Sequence, residues 1–98
     1  MLLKLGVDIS RLADPMRRGL NAIEAAYQAQ GAGEAVITST YEGSHSPASL
    51  HYVHRAVDVR LPPASLRERV LLELRKRLGS AFDVVLETDH IHVEHDPK

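Results

Sequence analysis

The sequence contains no cysteine among its 98 residues. That absence excludes disulfide bonds, thiolate nucleophiles and cysteine-ligated zinc, so any metal must be held by nitrogen and oxygen donors. An excess of basic charge is also missing, because the formal net charge is −1 and the basic residues are spread along the chain. Neither nucleic acid nor an anionic membrane is therefore an expected partner.

Long apolar runs are absent as well. The opening MLLKLGVDIS has only a few apolar residues before Asp8, so it lacks the apolar core of a secretory signal, and no run approaches a membrane span. The sequence therefore predicts synthesis in the cytoplasm, with any export depending on outside help. The length and an apolar share of 44% predict a single folded domain over residues 1–98.

Two amphipathic stretches predict helices. The first runs from about Pro15 to Gln30, with Asp14 as a capping carboxylate before the proline. The second runs from Pro63 to Leu78, where a leucine-rich stripe lies opposite charged residues, and Gly79 ends it.

Four runs have the composition of strands, and the last two are joined by the two-residue connection Thr88-Asp89, which favours an antiparallel hairpin. The order helix, strand, strand, helix, strand, strand predicts the α+β class: a small, mainly antiparallel sheet with two helices packed on one face. The predicted strands are Glu34 to Thr40, Arg55 to Leu61, Phe82 to Glu87 and His90 to His95.

Five of the six histidines lie in two short stretches, SLHYVHRAVD and DHIHVEH. Side chains at i and i+2 of a strand share a face, so His90, His92 and Glu94 point to one side while the intervening residues join the core. A turn between His51 and Asp58 would bring these two to the same centre as one of the paired histidines. A set of two histidines and one aspartate suits zinc and leaves a position for water; the alternative is exposed histidines without a metal.

Both stretches resemble the motifs of one family. SLHYVHRAVD resembles the Ser-x-His-x-x-Gly-x-Ala-x-Asp signature of the zinc D-alanyl-D-alanine carboxypeptidases and the related phage endolysin peptidases. HIH resembles the His-x-His that closes the metal site in this superfamily, which includes the hedgehog amino-terminal domain. The resemblance covers about Thr38 to Pro97, and the matching positions are Ser49, His51, Ala56, Asp58, His90 and His92.

The resemblance implies zinc held by His51, Asp58 and His92, with His90 beside the metal as a catalytic or transition-state-stabilising residue. Many members place a carboxylate three residues before the last ligand, which favours Asp89 as the general base. Hedgehog-like relatives place a glutamate slightly earlier, and Glu87 is the reserve candidate.

Two loop residues are candidates for substrate contact, each with a structural alternative. The hydroxyl of Ser49 is a candidate for a hydrogen bond to the substrate or to a group near His51. The alternative is that it stabilises a turn. His45 either lines the cleft or is a solvated loop residue.

The chain departs from the family pattern at two points. His54 replaces the usual glycine, which predicts a strained or remodelled turn. Some members of the family have an arginine upstream of the first motif that binds the substrate carboxylate, and this chain has none there. Arg55 and Arg60 are the two candidates for that role. His92 also needs an acceptor for its second ring nitrogen, and Glu94 is expected to lie too far along the strand for this role.

Three functions remain open on the sequence. The first is a zinc peptidase, of cellular or phage origin, that hydrolyses peptidoglycan peptides. The second is a metal-binding member of the same fold without catalysis, which the departures at His54 and upstream favour. The third is a structural or assembly component of a phage particle without a metal.

Overall fold

The computed structural model describes residues 1–40 and 54–97 of the chain. The predicted site residues His45, Ser49 and His51 lie outside these ranges. Five strands and two α-helices follow one another along the described residues: β1 (Leu2–Leu3), α1 (Asp14–Ala29), β2 (Val36–Ser39), β3 (Ala56–Arg60), α2 (Arg67–Leu78), β4 (Phe82–Leu86) and β5 (His90–His95).

The strands form one sheet in the order β1-β2-β3-β5-β4. All neighbours are antiparallel except β1 and β2, which are parallel. The hairpin predicted between the last two strands is confirmed, since β4 pairs with β5 around Thr88 and Asp89. The sheet and its two helices confirm the α+β class. The strand β1 was not predicted, because two residues carry no periodic signal.

The helices form where the apolar spacing predicts them, but the starts of both differ. The α-helix α2 begins at Arg67 rather than Pro63, because Ala64–Leu66 form a 3-10 turn before it. The N-cap of α1 is Ala13, which makes no side-chain capping bond, and Asp14 is already within the helix. The prediction of Asp14 as a capping residue is therefore wrong, although its charge still lies in the favourable first turn. Gly79 ends α2 with a positive φ of 83°, as predicted. No helix of the described ranges is long and apolar enough to cross a membrane.

The core lies between the two helices and one face of the sheet. Alternate strand residues supply the sheet side of this core, including Val57 and Val59 from β3 and Ile91 and Val93 from β5, all fully buried. Because neighbouring strand residues point in opposite directions, the intervening residues turn to the opposite face. That second face, which we call the open face, carries Asp58, His90 and His92 of the predicted site.

Candidate functional site

The sheet register brings the central pair of predicted site residues together on the open face. Asp58 in β3 pairs directly with His92 in β5, and His90 lies two positions away on the same strand. Oδ1 of Asp58 lies 3.0 Å from Nδ1 of His92 and 3.5 Å from Nε2 of His90. Directly opposite residues approach more closely than diagonal ones, which explains the shorter contact of His92.

Two more carboxylates extend this contact into a row. Nε2 of His92 lies 3.0 Å from Oε1 of Glu94, and Nδ1 of His90 lies 2.5 Å from Oδ1 of Asp89. We call these five side chains the carboxylate–imidazole row: Glu94, His92, Asp58, His90 and Asp89. The side chain of Asp89 is 85% exposed, whereas that of Asp58, at the centre, is only 12% exposed. The row therefore runs from the solvent into a half-buried part of the open face.

Both ring nitrogens of each histidine in the row face a carboxylate. A neutral imidazole carries a single N–H, so its second nitrogen would direct a lone pair at a carboxylate oxygen. At His92, where both contacts are 3.0 Å, a proton or a metal ion at the second nitrogen would relieve this repulsion. The hydrogen bond to Asp58 accordingly raises the pKa of His92 above its ordinary value, with partial burial opposing the rise and Glu94 adding to it.

A metal ion can replace that proton between Asp58 and His92. Two donors about 2.0 Å from one tetrahedral zinc lie about 3.3 Å apart, and the observed separation of Oδ1 and Nδ1 is 3.0 Å. A carboxylate oxygen and an imidazole nitrogen are also donors that zinc accepts. Asp58 and His92 therefore fit two of the three predicted zinc ligands, while the third, His51, lies outside the described residues.

Glu94 has a role that the sequence prediction rejected. Its carboxylate lies 3.0 Å from Nε2 of His92, so the expectation that it lies too far along the strand is wrong. The two residues share a face of β5, and their side chains bend toward each other. A carboxylate on the second nitrogen fixes the tautomer and ring orientation of a ligating histidine. Glu94 thus holds His92 with Nδ1 turned toward Asp58.

The predicted catalytic residues lie together at the solvent end of the row. Asp89 contacts the ring of His90 directly. Glu87 follows β4, and its backbone N–H donates a 2.9 Å hydrogen bond to the carbonyl of His90. Asp89 therefore contacts His90 through its side chain and Glu87 contacts it through its backbone, and both residues are exposed.

A cleft of about 440 Å³ opens beside this end of the row. The open-face residues that line it combine anionic, cationic and hydroxyl groups: Lys4, Thr38, Asp58, Arg60, Asp89 and His90. The cleft therefore gives a ligand access to both Asp58 and His90.

His54 lies in the turn that leads into β3. Its φ is 60°, in the left-handed region that favours glycine. The carbonyl of His54 accepts a 2.9 Å hydrogen bond from the backbone N–H of Ala13, just before α1. The geometry agrees with the predicted strain, because a histidine holds a backbone conformation that favours glycine.

A second group of carboxylates was not identified from the sequence. Potential ligand atoms of Asp83, Glu94 and Asp96 all lie within 4.8 Å of one another. Asp83 and Asp96 belong to no recognisable spacing motif, and only the pairing of β4 with β5 brings Asp83 opposite Glu94. Carboxylates without imidazole are typical of hard cations such as calcium rather than zinc. Among the described residues, Asp58, His90 and His92 do not form such a mutually adjacent set of three.

Comparison with known proteins places no further constraint on the site. No protein-family model matches the chain, and no curated protein matches it.

Proposed function

We propose that this protein is a zinc-dependent hydrolase of peptide bonds that acts on peptidoglycan peptides, as a D-alanyl-D-alanine carboxypeptidase or a related endopeptidase. The observation that supports it most is the contact of Asp58 with both His92 and His90 on the open face. The two sequence motifs that resemble the family lie far apart in the chain, and Asp58 and His92 are the positions that the resemblance assigns to the metal.

In this proposal Asp58 and His92 hold zinc together with His51. Glu94 keeps the ring of His92 turned toward the ion through its contact with Nε2. When bound, zinc would lower the pKa of water from about 15.7 toward about 7 and polarise the scissile carbonyl.

The remaining residues of the row supply proton transfer and charge stabilisation. Asp89, or in its place Glu87, accepts the proton of the attacking water and passes it to the leaving amine as the amide C–N bond breaks. His90, held by Asp89 at Nδ1, turns Nε2 toward Asp58 and the cleft. From there it donates a hydrogen bond to the oxyanion that develops on the carbonyl. Ser49 and His45 are the proposed substrate contacts.

A metal-free structural role is the second candidate. It is favoured by the hydrogen bonds of His92, since protonation alone satisfies both of its carboxylate neighbours. In that case the row stabilises the sheet and performs no chemistry.

Zinc content separates these two candidates. We expect the purified protein to bind one equivalent of zinc, and His51→Ala, Asp58→Ala and His92→Ala each to lose it. His95→Ala is the matched control, because His95 lies on β5 outside the row, with its ring edge-on to Phe82. If the wild-type protein does not bind zinc, the structural role is the one supported. If a variant still binds a full equivalent of zinc, the residue replaced in it is not a zinc ligand.

Hydrolysis tests the catalytic half of the proposal. Zinc-loaded protein should release D-alanine from a peptidoglycan fragment or cleave the cross-links within it. A chelator should abolish this hydrolysis, and added zinc should restore it. Zinc binding without any hydrolysis would support the non-catalytic metal-binding alternative instead.

A further inference from the structure

The sheet has two outer edges, and they differ in length. The strand β1 forms one edge with two residues, whereas β4 forms the other with five. Within the described part of the chain, no strand pairs with the outer side of β4. A longer edge strand presents N–H and C=O groups that can pair with another chain, and very short edge strands do so poorly. The edge of β4 is therefore the place where a second chain could extend the sheet.

Three residues of β4 direct their backbone groups away from β5. The N–H of Glu87 donates to the carbonyl of His90, and the carbonyl of Ala81 accepts from the N–H of Asp96. In an antiparallel pair, residues that bond to the neighbouring strand alternate with residues whose backbone groups point outward. The outward residues are therefore Phe82, Val84 and Leu86.

A side chain of α2 covers one of these outward groups. Nη2 of Arg75 donates a 3.0 Å hydrogen bond to the carbonyl of Val84, in the middle of β4. The guanidinium occupies the position that an N–H of a pairing strand would take. Arg75 also borders a groove of about 440 Å³ along β4 and a cavity of about 260 Å³ beside the exposed Leu72. Its side chain therefore lies between α2 and the outer edge of β4.

A second copy of this chain is the partner that the edge of β4 fits. When two identical strands pair antiparallel about a twofold axis, the residue on the axis pairs with itself. With Val84 on the axis, its N–H and carbonyl bond to the same groups of the other Val84. Phe82 of each copy then lies opposite Leu86 of the other. Because Leu86 is 44% exposed, this pairing would also bury apolar surface.

Arg75 opposes this pairing in two ways. It occupies the carbonyl of Val84, which lies at the centre of the pairing. It also places a positive charge next to the axis, where the guanidinium of the second copy would lie close to it, and like charges repel. We infer that Arg75 prevents β4 from pairing with β4 of a second copy, so that the sheet ends at this strand. The inference is independent of zinc binding and of peptide hydrolysis.

Self-association of the Arg75→Ala variant tests the inference. We expect sedimentation equilibrium to show self-association at least about tenfold tighter for this variant than for the wild-type protein, because the centre of the edge becomes available. In this variant, the backbone amides of Val84 and Leu86 should also exchange more slowly with solvent as the protein concentration rises. Arg69→Ala is the matched control, since Arg69 is an exposed arginine of α2 that does not border the groove. It should associate no more tightly than the wild type.

A second substitution shows whether the association occurs through β4. Leu86→Pro removes an outward N–H, and proline is tolerated on an edge strand. The Arg75→Ala, Leu86→Pro double variant should therefore associate as weakly as the wild type. Association of Arg75→Ala no tighter than that of Arg69→Ala would overturn the inference. Association that persists in the double variant would overturn it as well, since it would then arise from another surface or from unfolding.

Discussion

At the scale of single residues, the row explains why the histidines and carboxylates of two distant segments occur together. Asp58 accepts contacts from two imidazoles, and each imidazole has a further carboxylate on its other side. The sequence predicted Asp58, His90 and His92 because alternation on a strand is a local property. It did not predict Glu94 as the partner of His92, because that contact depends on side-chain rotamers that no spacing rule specifies.

The identity of the general base is testable at this scale. We expect Asp89→Asn to keep zinc and to slow peptide hydrolysis about a hundredfold or more, and Glu87→Gln to have a much smaller effect. Reversed effects of the two variants would assign the base to Glu87.

Because Asp89 also holds the ring of His90, a double variant is needed to separate the two roles. If Asp89 acts only by positioning His90, then Asp89→Asn should have no further effect in a His90→Ala background. A base that acts directly on water should slow the His90→Ala protein again.

Backbone strain at His54 gives a second prediction. We expect His54→Gly to be about 1 kcal/mol more stable than His54→Ala, because alanine pays the cost of the left-handed conformation and glycine does not. Both variants lose the histidine side chain, so their difference isolates the backbone. Urea unfolding measures it, and equal stabilities would show that the turn before β3 is not strained.

At the scale of elements, the sequence predicted α1 and the four longer strands to within about two residues, since each has its own apolar periodicity or strand composition. It predicted the end of α2 correctly but placed its start at Pro63, four residues before Arg67. The short β1 could not be found in this way, because Leu2 and Leu3 form a strand only through pairing with β2. The order of the strands in the sheet could not be predicted from the sequence either. It places β3 between β2 and β5, and this central position of β3 creates the contact of Asp58 with His92.

A hydrogen bond joins α1 to β3, and we predict how much it contributes to stability. Tyr27 is buried in the core with an exposure of 2%, and its hydroxyl donates to the carbonyl of Arg60 at the end of β3. We expect Tyr27→Phe to lower the free energy of unfolding by about 1 kcal/mol or more, because the carbonyl loses its partner. An unchanged midpoint of urea unfolding would contradict this role.

At the scale of the whole molecule, the two faces of the sheet differ in composition and in what they contact. The apolar face packs on both helices, and the open face holds charges that contribute little to the core. On the open face, His92 should give the stability of the metal-free protein a pH dependence.

Because the pKa of His92 is raised by Asp58, its contribution to the stability of the metal-free protein should be complete below about pH 6.5. It should disappear as pH rises through the raised pKa, where the folded protein gives up the extra proton. Urea unfolding of wild type and His92→Gln across this range measures the difference. A difference that grows with increasing pH would contradict the assigned charge state.

The central claim is that Asp58 and His92 share one zinc ion on the open face. Anomalous scattering at the zinc absorption edge, from crystals of zinc-loaded protein, tests it most directly. The account predicts a single strong peak about 2.0 Å from Nδ1 of His92 and from a carboxylate oxygen of Asp58. No peak there, or a peak among Asp83, Glu94 and Asp96 instead, would contradict it.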